Sequence, residues 1–188
     1  NTLKIIKKFD DRRIKIFSKE NTGLIDSLNY GLKKCTHNLI MRMDGDDEIK
    51  PYKINVQLKS FKNSNSILMG TGAFIINNQS EILTKISVPE KHDDIVNCKN
   101  KLQTSIIHPS VMFKKDIVIK AGGYNPKFEV AEDYELFYRL SRLGKISNIN
   151  QPLMLLRKND QNISVLRSST QLFNTLVARR IYKNDQNI

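Results

Sequence analysis

Strand-like apolar segments alternate with amphipathic helical patterns through residue 76, and this alternation limits the fold more than any other feature. Helices are predicted at 1–9, 20–36 and 50–64, and strands at 13–19, 38–44 and 66–76. This order predicts an α/β protein with a mostly parallel sheet flanked by helices. Ligands of such open sheets bind outside the carboxyl ends of the strands.

The rest of the chain is less regular. A basic, polar segment at 81–103 is followed by a predicted strand at 110–115 and by predicted helices at 116–121, 131–145 and 169–182. At 188 residues, the chain has the length of one compact domain. We therefore predict a single domain over 1–188, with a core to about residue 165 and a helical tail over about 166–188.

Composition limits the partners and the compartment. The formal net charge of +12 is typical of a protein that meets nucleic acid, an anionic membrane surface or a phosphorylated small molecule. Cys35 and Cys98 lie far apart in sequence, which indicates neither a zinc site nor a disulfide framework and favours a reducing compartment. No apolar run is long enough to cross a bilayer, so we expect a soluble protein, at most peripheral to a membrane.

An acid cluster ends the apolar run "LIMRM": Asp44, Asp46, Asp47 and Glu48. Crowded carboxylates are unfavourable unless a cation or hydrogen-bond donors compensate them. Mg²⁺ and Mn²⁺ prefer such oxygen ligands and leave other positions to water and substrate phosphates. From the motif alone, a metal site and a solvated acidic loop at a helix N-terminus both stay open.

Other acid motifs fit less well. An EF-hand loop starting at Asp44 is excluded, because Ile49 occupies its glycine position and Asn55 its closing glutamate position. A phosphatase with Asp44 as nucleophile would need a cationic partner that no motif supplies.

Three segments carry a family resemblance. "RMDGDDEIKPYK", "IHPSVMFKK" and "GGYNPKFEVAEDYELFYRLSRLGK", joined by "ENTGLIDSLNYGLKK", resemble successive motifs of the family-two inverting glycosyltransferases with a GT-A fold. The resemblance covers most of residues 1 to about 165 and implies a Rossmann-like sheet. Family members usually have a further strand and a "DGSTD"-like loop before a helix such as "NTLKII". We therefore expect the chain to start inside a larger domain and, alone, to bind nucleotide weakly.

The resemblance also assigns the carboxylates. It implies that Asp44 and Asp46 bind the nucleotide-sugar and an Mg²⁺ or Mn²⁺ ion, with Asp46 as the main metal ligand, and it leaves the role of Asp47 open. It implies that Asp133 is the general base and that Glu132 contacts substrate. Taken alone, Glu132 and Asp133 would simply suit the positive end of a helix dipole.

Three further positions follow from the same resemblance. His108 is expected to line the donor-sugar or acceptor side of the cleft, although a lone histidine is more often structural. Arg157 is expected to assist the diphosphate. Asn159 stands where relatives often have a histidine, so we expect no third protein ligand for the metal.

The function implied is transfer of a sugar, with inversion, from a nucleotide-diphosphate donor, expected to be UDP-linked, to a saccharide or lipid-linked saccharide. The expected setting is bacterial surface-polysaccharide synthesis, in the cytoplasm at the inner face of the cell membrane, with peripheral contact to anionic lipid. One alternative is a truncated or inactive relative. The other, a basic nucleic-acid-binding module, is disfavoured by 7% aromatic residues, the lack of a binding motif and the spread of the lysines, so no nucleic-acid partner is expected.

Overall fold

The computed structural model describes residues 2–100, 105–158 and 167–184. The helices are α1 (Thr2–Ile6), α2 (Leu24–Lys34), α3 (Lys53–Lys62), α4 (His92–Asn100), α5 (Lys115–Lys120), α6 (Glu132–Leu143) and α7 (Ser168–Asn184). The strands are β1 (Leu39–Met41), β2 (Glu48–Ile49), β3 (Ser66–Ile76), β4 (Ile82–Ile86), β5 (Met112–Lys114) and β6 (Lys145–Arg157). A 3-10 turn at His108–Ser110 precedes β5.

The strands form one sheet in the order β1-β5-β3-β6-β2, with β4 also paired to β3. The α/β class is confirmed, but the sheet is mixed rather than mostly parallel. Only β3 and β6 pair in parallel within the described residues, and the other pairings are antiparallel. A parallel neighbour needs a long crossover connection, whereas β4 follows β3 through a short turn that reverses the chain.

The predicted strand at 13–19 does not form. Ile14, Ile16 and Phe17 are exposed, and this segment pairs with no strand in the described part of the chain. Alternating apolar residues favour a strand only where a neighbour supplies hydrogen bonds and covers one face.

The main core lies between the sheet and the helices α2, α5 and α6. It contains Ile25, Leu32, Leu68, Val118, Leu136, Leu140 and Ile146. The helix predicted at 131–145 is confirmed as α6, which buries Leu136 and Leu140, whereas Leu143 at the end of the helix is exposed. This packing fixes α6 against the sheet and so fixes the position of its first turn.

The C-terminal helix α7 packs on α6. The rings of Tyr138 and Tyr182 are stacked with centroids 5.5 Å apart, and the Tyr182 hydroxyl donates a hydrogen bond to the buried carboxylate of Glu135. Among the described helices, none combines the length and apolarity that crossing a bilayer needs.

Candidate active site

Asp44, Asp46 and Asp47 lie in the loop between β1 and β2, which we call the acid loop, and Glu48 is the first residue of β2. The Arg42 guanidinium pairs with both carboxylate oxygens of Asp44, with Nη1 2.7 Å from Oδ2. Asp46 is exposed, whereas Asp47 is half-buried and accepts a hydrogen bond of 2.9 Å from the backbone amide of Arg157. Asp46 is therefore freer to meet a ligand than Asp44 or Asp47.

Arg157, at the end of β6, holds this loop in place. Its Nε donates to the Asp46 carbonyl at 3.0 Å and its Nη1 to the Asn77 carbonyl at 2.6 Å, while its Nη2 pairs with Glu48. These contacts tie the acid loop to β6 and to the turn after β3. The predicted contact of Arg157 with a diphosphate stays a prediction, and the predicted substitution at Asn159 lies outside the described residues.

The first turn of α6 carries Glu132 and Asp133. Val130, just before it, has a positive φ of 59°, an unusual conformation for a β-branched residue that often marks a functional site. Glu132 is only 5% exposed, and its Oε2 has no hydrogen-bond partner in the described structure. Asp133 is half-buried, and its Oδ1 accepts from the Tyr134 amide at 2.7 Å.

The buried side chain of His108 lies beside that of Glu132. Its Nδ1 is 3.8 Å from Glu132 Oε1, its Nε2 is 3.0 Å from the Tyr124 hydroxyl, and its ring packs edge-on against Phe137. Asn29 of α2 fixes Tyr124, because its side chain donates to the Tyr124 carbonyl at 2.8 Å and accepts from the Tyr124 amide at 2.9 Å. Tyr124 was missed in the sequence analysis, although it lies within the quoted "GGYN".

Burial shifts the pKa values of Glu132, His108 and Asp47. Burial, reinforced by the neighbouring Asp133 carboxylate, raises the pKa of Glu132 to about 7, and burial lowers the pKa of His108 to about 4. Near neutral pH His108 is therefore uncharged, and its contact with Glu132 is not an ion pair despite the 3.8 Å separation. Burial, and then the charges of Asp44 and Asp46, raise the pKa of Asp47 to about 6.

The acid loop and the α6 turn are close enough to interact. After burial, the charges of Asp133 and Asp44 both raise the pKa of Glu132, and Arg42 lowers the pKa of Glu132 and of His108. Residues that are far apart in sequence therefore share one electrostatic environment. Arg42 contacts Asp44 directly, and its charge also acts on Glu132 and His108.

The acid loop offers oxygen ligands of the kind that Mg²⁺ and Mn²⁺ take. Within 2–100, 105–158 and 167–184, no group of three or more His, Cys, Asp or Glu side chains is arranged to hold a metal ion. A Mg²⁺ ion commonly uses only one or two protein carboxylates and completes its shell with water and substrate phosphates. Asp46 is exposed and lies two residues from Asp44, so its carboxylate is accessible for that role.

A cavity of about 240 Å³ adjoins the site. It lies between α2 and β1 and shares Arg42 and Tyr124 with the site. Its other lining residues are mostly apolar and include Leu28, Leu32, Ile40, Met41, Met43 and Phe113.

Residues 1–122 match the family model described as glycosyl transferase family 2. The chain is 35% identical to the O-antigen biosynthesis glycosyltransferase WbnJ of Escherichia coli over 74% of this chain and 53% of that protein. It is 30% identical to the amylovoran biosynthesis glycosyltransferase AmsE of Erwinia amylovora over 85% of this chain and 62% of that protein. The chain thus spans little more than half the length of these relatives.

Solved structures show the same fold. S. aureus TarS has a TM-score of 0.69 at 14% identity, covering 96% of this chain and 52% of that chain. Its complex with UDP-GlcNAc has a TM-score of 0.66 at 16% identity, covering 86% of this chain and 47% of that chain.

Proposed function

Because the chain belongs to glycosyl transferase family 2, we propose that it transfers a sugar from a nucleotide-diphosphate donor to an acceptor hydroxyl, with inversion at the anomeric carbon. Its α/β GT-A fold is consistent with that activity. The observation that carries the proposal is the convergence of the acid loop and the first turn of α6, where Asp44 and Asp133 both act on Glu132.

We propose a UDP-linked donor and a lipid-linked saccharide acceptor. The donor is supported by the complex of the similarly folded S. aureus TarS with UDP-GlcNAc. The acceptor is supported by the name of an Escherichia coli relative, UDP-Gal:alpha-D-GlcNAc-diphosphoundecaprenol beta-1,3-galactosyltransferase, which is 32% identical over 77% of this chain. The setting is bacterial surface-polysaccharide synthesis, at the inner face of the cell membrane and in peripheral contact with anionic lipid.

The acid loop serves the donor. Asp46, assisted by Asp44, would hold a Mg²⁺ or Mn²⁺ ion, which when bound neutralises charge on the diphosphate leaving group. Arg42 keeps the Asp44 carboxylate oriented, and Arg157 keeps the loop against β6 through the Asp46 carbonyl. In this role Arg157 positions the loop that meets the diphosphate.

The first turn of α6 serves the acceptor. Inversion requires one displacement, in which the bond from the acceptor oxygen to the anomeric carbon forms while the bond to the diphosphate oxygen breaks. The electron pair of the broken bond leaves with the nucleoside diphosphate, and Asp133 accepts the proton of the acceptor hydroxyl. Asp133 is half-buried, which leaves its carboxylate partly accessible to that hydroxyl.

In this proposal, Glu132 and His108 line the cleft between the donor and the acceptor. With its pKa raised to about 7 by burial, Glu132 is partly protonated near neutral pH and can donate or accept a hydrogen bond through the unpartnered Oε2. We propose that this oxygen contacts a sugar hydroxyl. The neutral His108 contacts the other carboxylate oxygen of Glu132, and the Tyr124 hydroxyl hydrogen-bonds to the imidazole and so fixes its orientation.

The proposal is tested by incubating the full-length protein with UDP-sugars, a divalent ion and a saccharide acceptor, and following UDP release and the anomeric configuration of the product by NMR. We expect metal-dependent transfer to a product of inverted configuration. A product with retained configuration would contradict the single displacement at Asp133. Binding of DNA or RNA with a steep salt dependence, without any donor binding, would favour the nucleic-acid alternative.

A further inference from the structure

The C-terminal helix α7 leaves several large apolar residues exposed on the side that faces away from α6. Leu172, Phe173 and Leu176 are 55%, 66% and 43% exposed. On the opposite side, Asn174 donates a hydrogen bond of 2.8 Å to the Glu129 carbonyl, and Ala178 is fully buried. A surface helix normally buries its apolar side, so this arrangement indicates that the outward side meets a partner.

Two arginine side chains follow the exposed apolar residues along α7. Residues four positions apart share a helix face, so Leu172, Leu176 and the exposed Arg180 form one line. Arg179 flanks this line on the side of α6, because it is half-buried and its charge acts on Tyr134 and Tyr138. No acidic residue occurs between 168 and 184, and no ion pair of Arg179 or Arg180 occurs in the described part of the chain. The outward face, defined by Leu172, Phe173, Leu176, Arg179 and Arg180, is therefore both apolar and basic.

The apolar and basic character of the outward face favours an anionic lipid surface over a second copy of the chain as its partner. A second copy would bring identical basic faces together on chains whose formal net charge is +12, which is unfavourable. An anionic lipid surface supplies phosphate groups for the arginines and an interfacial layer for the apolar side chains.

We propose that the outward face of α7 docks on an anionic membrane surface, with Arg179 and Arg180 at the lipid phosphates and Leu172, Phe173 and Leu176 in the headgroup region. This inference rests on the proposed transfer to a lipid-linked acceptor.

The direction of α7 supports this role. Asn174 contacts Glu129, just before α6, whereas Tyr182 contacts Glu135 and stacks on Tyr138, further along α6. The two helices therefore run in the same direction. The apolar half of α7 lies at the end of α6 that carries Asp133, so docking would bring the membrane to the side of the base.

Co-sedimentation with vesicles tests the proposal. We expect the protein to pellet with vesicles of phosphatidylcholine and phosphatidylglycerol, and at least tenfold less with phosphatidylcholine alone. Phe173→Ser with Leu176→Ser, and separately Arg179→Gln with Arg180→Gln, should each lower binding at least fivefold. Ile82→Ser with Leu83→Ser on β4, and Arg12→Gln with Lys15→Gln, are matched controls that should bind as wild type, since they remove similar exposed side chains elsewhere.

Three results would overturn the proposal. The first is equal binding by the α7 variants and their controls, and the second is no binding to anionic vesicles by the wild type. The third is a dimer in light scattering that Phe173→Ser dissociates, which would make a second copy the partner. Transfer to a water-soluble acceptor, measured for the wild type and each α7 variant, separates this test from the proposed function. Such transfer does not require a membrane, so the α7 variants should match the wild type. Absence of transfer by the wild type would contradict the proposed function, not the membrane docking.

Discussion

Asp46 is the exposed carboxylate of the acid loop, and its backbone is held by Arg157. We predict that Asp46→Asn in the full-length protein abolishes metal-dependent donor binding and transfer without loss of folding, because the amide keeps the size of the side chain and removes the charge that a cation needs. Calorimetry with Mn²⁺ and UDP measures this. Undiminished Mn²⁺–UDP affinity in the variant would exclude Asp46 as the main ligand.

Glu132 links stability to pH. Burial raises its pKa from 4.5 to about 7, so the folded state binds more protons than the unfolded state between these values. The stability from this group is present at low pH and is lost as the pH rises through about 7. We predict that wild type loses on the order of 2 kcal/mol from this source between pH 5 and pH 8, and that Glu132→Gln does not.

Chemical denaturation of both proteins at each pH measures the effect. His108 acts in the opposite sense, because its pKa is lowered from 6.5 to about 4 and its stability is lost on acidification. The difference between wild type and variant isolates Glu132 from His108. An equal pH dependence in the two proteins would show that Glu132 is ionised in the folded state throughout this range.

The sequence predicts the acidic side chains of the candidate site but not the residues that support them. Asp44, Asp46 and Asp133 could be proposed because their motifs are local in sequence, and their roles stay predictions. Tyr124 could not, since its position depends on Asn29, a residue of α2 that is distant in sequence. The unpartnered Oε2 of Glu132 likewise depends on the packing of α6 on the sheet.

At the scale of elements, α6 and α7 are joined through one buried carboxylate. Glu135 is fully buried, pairs with Arg139 and accepts a hydrogen bond from the Tyr182 hydroxyl. Tyr182→Phe removes the hydrogen bond and keeps the stacking on Tyr138. We predict a loss of about 1–3 kcal/mol in the free energy of unfolding, since the bond is to a buried, charged group.

Urea denaturation measures this loss, and Tyr52→Phe at an exposed tyrosine provides the control. That variant should change stability by less than about 0.5 kcal/mol. If Tyr182→Phe changed stability no more than its control, Glu135 would not hold the two helices together.

Elements with local patterns could be predicted, whereas the long strand β6 could not. The helices α2, α3, α6 and α7 and the strands β1, β3 and β5 follow the predicted periodicities to within a few residues at their ends. In β6, Asn148, Asn150 and Gln151 interrupt the apolar pattern, and Pro152 lies where the register with β3 shifts. Proline is tolerated in a strand at such an irregularity, and only the pairing with β3 reveals it.

At the scale of the molecule, acidic side chains are concentrated at the candidate site, whereas the chain as a whole is basic. The chain carries a formal net charge of +12, yet its acid loop and the first turn of α6 bring carboxylates together at one site. A metal and a diphosphate would offset one another there, and the basic α7 face would meet lipid. This arrangement gives the acid cluster a role and assigns two of the 31 Lys and Arg residues to the proposed lipid contact.

We propose that the acid loop binds the donor while Asp133 takes the acceptor proton. Asp133→Asn in the full-length protein tests this division most directly, with transfer rate and donor affinity measured on the same preparation. We predict at least a roughly hundredfold loss of transfer with unchanged UDP-sugar binding, because the variant removes an interaction made only in the transition state. Asp94→Asn, in the first turn of α4, should change neither quantity. Wild-type transfer by Asp133→Asn, or loss of donor binding together with transfer, would contradict this division of roles.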